Sequence, residues 1–217
     1  VWWKGGDTTV ESVWFKQPDT VVAYGGNPTL AAIQQQLPIT TRFLPHGHKI
    51  SVGLVARSAL DARQGAELAR RAAYDVMRYD QSGCYSPQML FIERGGRVSP
   101  QEFSAYLAHE LKALARKHPR GELSLAERNS IAAWRNNEEI RALQGDRPLY
   151  GDAIENWAGV SVDRPEPLVP AALGRTLKVA AEEAVEQAIE LVAGPETHSI
   201  TAAVAADPQG LFRPTSA

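Results

Sequence analysis

Apolar residues recur at three- and four-residue steps through Ala66, Ala69, Ala73, Val76 and Met77. That spacing predicts an amphipathic helix over Ala59 to Arg78. A short apolar run, Met89-Leu90-Phe91-Ile92, ends at Glu93-Arg94-Gly95-Gly96 and predicts a strand followed by a turn. Ile50 to Val55 predicts another strand. Ser99-Pro100-Gln101-Glu102 and Ser124-Leu125-Ala126-Glu127 are capping boxes. The first opens a helix with Phe103, Tyr106, Leu107, Leu111 and Leu114 on one face; the second opens a helix to about Leu143. Both read as core-packing helices, with His109 and His118 at the surface. Asn156 to Val162 and Arg175 to Val179 read as strands, and Arg164 to Pro170 as a proline-rich loop. Ala181 to Val192 reads as a helix burying Val185, Ala188, Ile189 and Val192, stopped by Gly194-Pro195. His198 to Ala205 is a last strand. Strands alternating with helices imply a mostly parallel α/β sheet covered on both faces.

Two units near the start have one form. Val1-Trp2-Trp3 leads to Gly5-Gly6-Asp7, and Val21-Val22-Ala23-Tyr24 leads to Gly25-Gly26-Asn27-Pro28. Each reads as strand, glycine turn and Asx-capped helix start, with Pro28 at the first helical position. Such a helix start can hold a phosphate, because free N–H groups and the helix dipole face the anion. Neither unit is a G-x-G-x-x-G fingerprint, and a plain βα turn has the same form.

Cys84 is the only cysteine in 217 residues. It lies in Tyr79-Asp80-Gln81-Ser82-Gly83-Cys84-Tyr85-Ser86-Pro87-Gln88, the connection between the predicted helix and the strand at Met89. A lone cysteine is commonly a small buried hydrophobe. Here its neighbours are polar, Gly83 permits close approach of a ligand, and backbone N–H groups can face a thiolate or an oxyanion. Cys84 is therefore the candidate nucleophile, with Gln81, Gly83, Tyr85 and Ser86 as oxyanion or positioning candidates.

Composition narrows the classes. The net charge of −2, with 44% hydrophobic and 22% charged residues, is ordinary for a globular protein and gives no reason to expect nucleic acid. No apolar run is long enough to span a bilayer. No signal peptide is evident, and one cysteine fits a reducing cytoplasm. His46 and His48 invite a metal, but no Cys/His/Asp cluster completes a site. The opening Val1-Trp2-Trp3, without Met, reads as the middle of a strand and so as the start of a fragment.

Asp80-Gln81-Ser82-Gly83-Cys84 with Ser86-Pro87-Gln88 resembles the catalytic-cysteine segment of the fatty acyl-CoA reductases. These are the LuxC-type enzymes of bacterial luminescence, a branch of the aldehyde dehydrogenase superfamily. Tyr24-Gly25-Gly26 and Gly47-His48-Lys49-Ile50-Ser51 are similar to that family too. The resemblance implies an aldehyde-dehydrogenase-like catalytic domain with a partial nucleotide-binding domain. Residues 1–50 would be the remnant of the latter, 51–205 the catalytic domain, and 206–217 a tail towards a missing C-terminal part. It implies reduction of a fatty acyl thioester to the aldehyde through an acyl-cysteine, with NADPH as hydride source. Gly25, Gly26, Gly47 and His48 become cofactor-binding candidates. The implied partners are fatty acyl-CoA or an acyl-protein thioester, acyltransferase or synthetase subunits of a reductase complex, and further copies of the chain in a homo-oligomer. Where aldehyde dehydrogenases carry a water-activating Glu, this chain has Pro45. Where they carry a ribose-binding Glu before Leu173-Gly174, it has Ala171-Ala172. Two alternatives stand beside this reading: a reductase of carrier-protein-bound or short-chain acyl thioesters, and a non-catalytic assembly fragment with a packed Cys84.

Overall fold

The computed structural model describes residues 2–47, 50–83, 85–145, 148–151, 157–162, 164–192 and 197–200. They fall into two compact units, Val1–Lys49 and Ile50–Ala217.

In the first unit, Asp7 caps α1 (Thr8–Trp14), its Oδ1 accepting from the N–H groups of Thr9 and Val10. Among the described residues, the strand expected before it does not form. Residues 2–4 are irregular, and Trp3 stacks on Trp14 at 6.0 Å, so the aromatic run packs on the helix instead of pairing. The second unit of the repeat does form. β1 (Thr20–Tyr24) runs through Gly25-Gly26 into α2 (Asn27–Gln36), which returns to β2 (Arg42–His46). β1 and β2 are parallel, Thr20 opposite Arg42 and Tyr24 opposite His46. The cap of α2 is Gly26, which has no side chain to bond the first turn, rather than the expected Asn27.

The second unit is a six-stranded sheet in the order β5-β6-β7-β4-β3-β8. Its strands are β3 (Ile50–Val55), β4 (Pro87–Glu93), β5 (Leu149–Tyr150), β6 (Ala158–Val162), β7 (Thr176–Glu182) and β8 (Thr197–Ile200). All neighbours are parallel except β5 and β6. β3 and β4 are buried along their whole length, as strands covered on both faces must be. The helices are α3 (Gln64–Met77), α4 (Pro100–Lys117), α5 (Leu125–Ala142) and α6 (Val185–Val192).

α3 begins later than its apolar period predicts. The Asp61 carboxylate accepts from the N–H groups of Arg63 and Gln64 and sets the start there. Its Leu68, Ala69, Ala72, Ala73 and Val76 pack with Phe103, Leu107 and Leu111 of α4 against Leu90, Ile92, Leu177 and Val179. Ala66, expected on this face, is exposed. Each large apolar side chain so buried contributes about 1.5–3 kcal/mol. The other face packs Val52, Leu54, Met89, Phe91 and Ala180 with Ala188 of α6. β7 runs beyond the expected Val179, because Ala180, Ala181 and Glu182 pair with Phe91, Ile92 and Glu93; α6 starts correspondingly later. Of the last expected strand, residues 201–205 lie outside the described residues.

α5 has its expected capping box but does not pack as a core helix: Glu138 is its only buried residue among those described. Glu138 reaches Lys178, which is fully buried in mid-β7. Lys178 Nζ lies 3.2 Å from Glu166 and 3.8 Å from Glu138. A buried ammonium needs such partners, since unpaired it would cost several kcal/mol.

At the carboxyl ends of β4 and β7, Glu93 and Glu182 are opposite each other. Glu93 accepts from the N–H of Arg57 at 2.7 Å and from its Nε at 2.9 Å. Glu182 is 1% exposed and its Oε1 has no hydrogen-bond partner among the described residues. Burial pushes its carboxyl above the usual range; Glu183 adds to this, while a Glu166 hydrogen bond and Arg94 oppose it. A carboxyl raised in the folded state contributes its stability at pH below its unfolded value and loses it as pH rises through the folded value. Glu182→Gln should therefore gain stability relative to the parent at about pH 8, and the gain should vanish at about pH 4. Urea unfolding at both values reads this; an equal difference at both would contradict it.

Candidate functional site

α3 delivers the chain to the amino ends of β4 and β7 through an unusual turn. Tyr79, Asp80 and Gln81 are all left-handed, with φ of 52°, 52° and 64°. Each non-glycine residue so held costs about 1–3 kcal/mol, and the conformation persists only where the surroundings over-determine it. Here they do. Gln81 is 1% exposed. Its Nε2 donates to Pro87 O at 2.8 Å and to Thr176 O at 2.7 Å. Its Oε1 accepts from the N–H of Arg175 at 2.9 Å and of Thr176 at 3.0 Å. Asp80 Oδ1 accepts from Arg175 Nε at 2.8 Å, and Oδ2 from the N–H of Gly121 at 3.1 Å.

The partner segment is left-handed as well. Leu173, Gly174 and Arg175 have φ of 62°, 59° and 72°. Arg175 is 3% exposed and also donates through Nη1 to His118 O at 2.8 Å. Arg120 donates to Gly174 O at 2.9 Å. Burial, then the nearby Arg175, lower the Arg120 guanidinium, against the pull of Asp80. Two strained turns thus hold each other in place. Beside them opens a pocket of about 160 Å³ whose walls include Asp80, Ser82, Leu123, Ile131, Ala172 and Gly174.

The connection that follows carries most of the expected site residues; Cys84 itself lies outside the described residues. Gln81 has both amide hydrogens committed to carbonyls, which leaves none to face an oxyanion; its place is positional. Ser86 N–H donates to Gly83 O at 3.0 Å. A Cβ on Gly83 would stand 3.2 Å from the Tyr85 ring and 3.3 Å from Ser86 Oγ, tighter than side chains normally pack. Ser86 is 2% exposed, and its Oγ has no hydrogen-bond partner among the described residues. Tyr85 is exposed and meets Tyr79 edge-on at 6.5 Å.

The cofactor candidates Gly25, Gly26 and Gly47 meet in the first unit, at the carboxyl ends of β1 and β2. Gly25 N–H donates to His46 O, Gly26 opens α2, and a Cβ on Gly47 would come within 2.7 Å of Asn27 Oδ1. His48 lies outside the described residues. His46 stacks on Tyr24 at 4.5 Å, and His109 and His118 are exposed. Among the described residues no three His, Cys, Asp or Glu side chains are grouped to hold a metal, and no helix is long and apolar enough to cross a membrane. Asp80 and Arg175 were missed from the sequence. They bond across 95 positions, and no local spacing marks either.

The chain matches the family model described as Acyl-CoA reductase (LuxC) over residues 1–215. It is 23% identical over 202 residues to the long-chain acyl-protein thioester reductase of Photorhabdus laumondii subsp. laumondii, covering 92% of this chain and 39% of that protein. Among solved structures it is similar to an indole-3-acetaldehyde dehydrogenase of P. syringae in complex with NAD+ and IAA. That match has a TM-score of 0.60 and 16% identity, over 80% of this chain and 37% of the other. An aldehyde dehydrogenase of Pseudomonas aeruginosa gives a TM-score of 0.59 and 18% identity over the same shares. The fold is that of the aldehyde dehydrogenases, and the chain spans well under half the length of these relatives.

The lock is testable by stability. Gln81→Leu removes four hydrogen bonds, those of the amide to the backbone of Pro87, Arg175 and Thr176. It should lower unfolding free energy by about 3 kcal/mol in urea titration. A loss of less than about 0.5 kcal/mol, the range of an ordinary surface change, would show that the lock does not hold the turn.

Proposed function

The chain belongs to the acyl-CoA reductase (LuxC) family, and on that ground we propose that the protein reduces a fatty acyl thioester to the aldehyde, with Cys84 as nucleophile. The observation that carries the reading is the locked, strained turn that leads into the only cysteine of the chain. Strain of this kind gathers at sites where geometry must be held ready for chemistry. In this reading residues 51–205 carry the chemistry and residues 1–50 belong to the nucleotide-binding part.

The Cys84 thiolate attacks the thioester carbonyl, the bond to the leaving thiolate breaks, and an acyl-cysteine forms. Backbone N–H groups of the connection stabilise the oxyanion. Gln81 fixes the backbone that presents them, Gly83 lets Tyr85 and Ser86 pack closely on the turn, and the Ser86 hydroxyl is a further donor within the connection. NADPH, when bound, supplies the hydride that turns the acyl group into aldehyde. The first unit suits such a group. The first turn of α2 carries no acidic residue, Gly25 and Gly26 bring no side chain to its start, and Gly47 packs closely on Asn27 beside it. His48 is the remaining cofactor candidate.

Pro45 supports reduction over hydrolysis. It sits in β2 opposite Ala23 and has no ionisable group with which to activate water. The acyl donor is an acyl-CoA or an acyl group held as a thioester on a protein; the family description favours the first and the Photorhabdus relative the second. A synthetase or transferase partner, a homo-oligomer and a cytoplasmic setting complete the reading.

Mass spectrometry of the intact protein with tetradecanoyl-CoA, without nucleotide, tests it. The wild type should gain one acyl group, released by hydroxylamine, and Cys84→Ala should gain none while keeping its unfolding midpoint. An adduct that persists in Cys84→Ala would remove Cys84 from the mechanism.

A further inference from the structure

We propose that α5 is a movable clamp on the two locked turns, and that Glu138, through its bond to Lys178, is the positioning residue that seats it. The link from the clamp to chemistry rests on the reading of Cys84 as nucleophile; the link from α5 to the turns does not.

α5 and the residues that lead into it touch both turns. Gly121 N–H donates to Asp80 Oδ2 at 3.1 Å, and Arg120 Nη1 to Gly174 O at 2.9 Å. Ile131 fills the space over Gly174, where a Cβ would come within 2.7 Å of its Cδ1. Farther along the same face of the helix, both Nη atoms of Arg135 lie 3.3 Å from Gly151 O, and Glu138 meets Lys178 at 3.8 Å. β7 thus carries part of the lock at Thr176 and the seat of α5 at Lys178.

What holds this helix differs from what holds its neighbours. α3 buries Leu68 and Val76 and α4 buries Phe103 and Leu111, whereas the one buried residue of α5 is Glu138. Segments with few buried apolar contacts open at the lowest free energy. The pair is also arranged to release. Glu138 Oε1 lies 3.0 Å from Arg141 Nη1 of its own helix, and Lys178 Nζ lies 3.2 Å from Glu166. Both are nearer than the 3.8 Å between Glu138 and Lys178. When α5 lifts, each charge keeps its closer partner, and neither is left bare in the interior. Ile131 then leaves Gly174, and the bonds from Arg120 and Gly121 slacken. The left-handed residues of both turns lose part of the surroundings that hold their strain.

Amide hydrogen exchange of the intact protein, read peptide by peptide in a mass spectrometer, tests the clamp. Glu138→Gln keeps the side-chain shape and removes the charge. It should speed exchange about tenfold or more across α5 and across residues 79–82 and 173–176, and leave α4 within about twofold of the wild type. Ile131→Ala keeps the bond to Lys178. It should speed exchange at 173–176 by a similar factor and leave the Glu138 end of α5 within about twofold. Faster exchange in α5 alone would show that it does not hold the turns. Faster exchange throughout, α4 included, would make Glu138 an ordinary stability residue. Either result, or no change at all, overturns the proposal. The link to chemistry is read from single-turnover acylation by tetradecanoyl-CoA. Glu138→Gln should lower the limiting rate about tenfold and leave the half-saturating concentration within about twofold. A limiting rate equal to that of the wild type overturns the positioning role. If the wild type takes up no acyl group, the thioester-reductase reading fails, and the exchange result alone upholds or overturns the clamp.

Discussion

The bond between two left-handed turns governs this structure. Asp80 and Gln81 on one side, and Arg175 and Thr176 on the other, join the end of α3 to the start of β7 across 95 positions of sequence. Neither turn is favourable alone: three residues with positive φ in each store strain, with one glycine among the six. Together they satisfy every hydrogen-bonding group of the Gln81 amide and bury Arg175 against a carboxylate and a carbonyl. The strain of one turn is maintained by the bonds of the other.

This has a consequence for where chemistry can sit. In open parallel sheets, ligands usually gather at the carboxyl ends of strands, where helices begin. In the first unit the proposed cofactor residues Gly25, Gly26 and Gly47 lie at such carboxyl ends. In the second unit the connection that leads into β4 lies at that strand's amino end, and the first turn of α5 helps line the pocket beside Asp80 and Ser82. The opposite edge carries the buried Glu93 and Glu182, one paired with Arg57 and the other short of partners.

Local rules made much of this legible. The capping boxes at Ser99 and Ser124, the helix through Ala69, Ala73 and Val76, and the buried strands at Ile50 and Met89 follow from residues a few positions apart. The errors came where distant partners decide. Trp2 and Trp3 read as a strand but have no strand to pair with, so Trp3 stacks on Trp14. Ala181 and Glu182 read as helix, yet pairing with Ile92 and Glu93 holds them in β7. α5 read as a core helix, yet it presents Glu138 to a lysine 40 positions away. In the candidate site, Gly83 and the lone Cys84 were visible as types in a polar connection. Gln81 was visible too, but its positional role depends on Thr176 and could not be.

A double-mutant cycle on Asp80 and Arg175, read as the rate of Cys84 alkylation by iodoacetamide, tests most directly whether the lock sets the reactive geometry. Asp80→Asn and Arg175→Gln should each change the rate about tenfold, and the double variant should change it no further than either single one, since both remove the same bond. Rates that multiply in the double variant, or that match the wild type throughout, would mean that the two turns are not coupled to the cysteine.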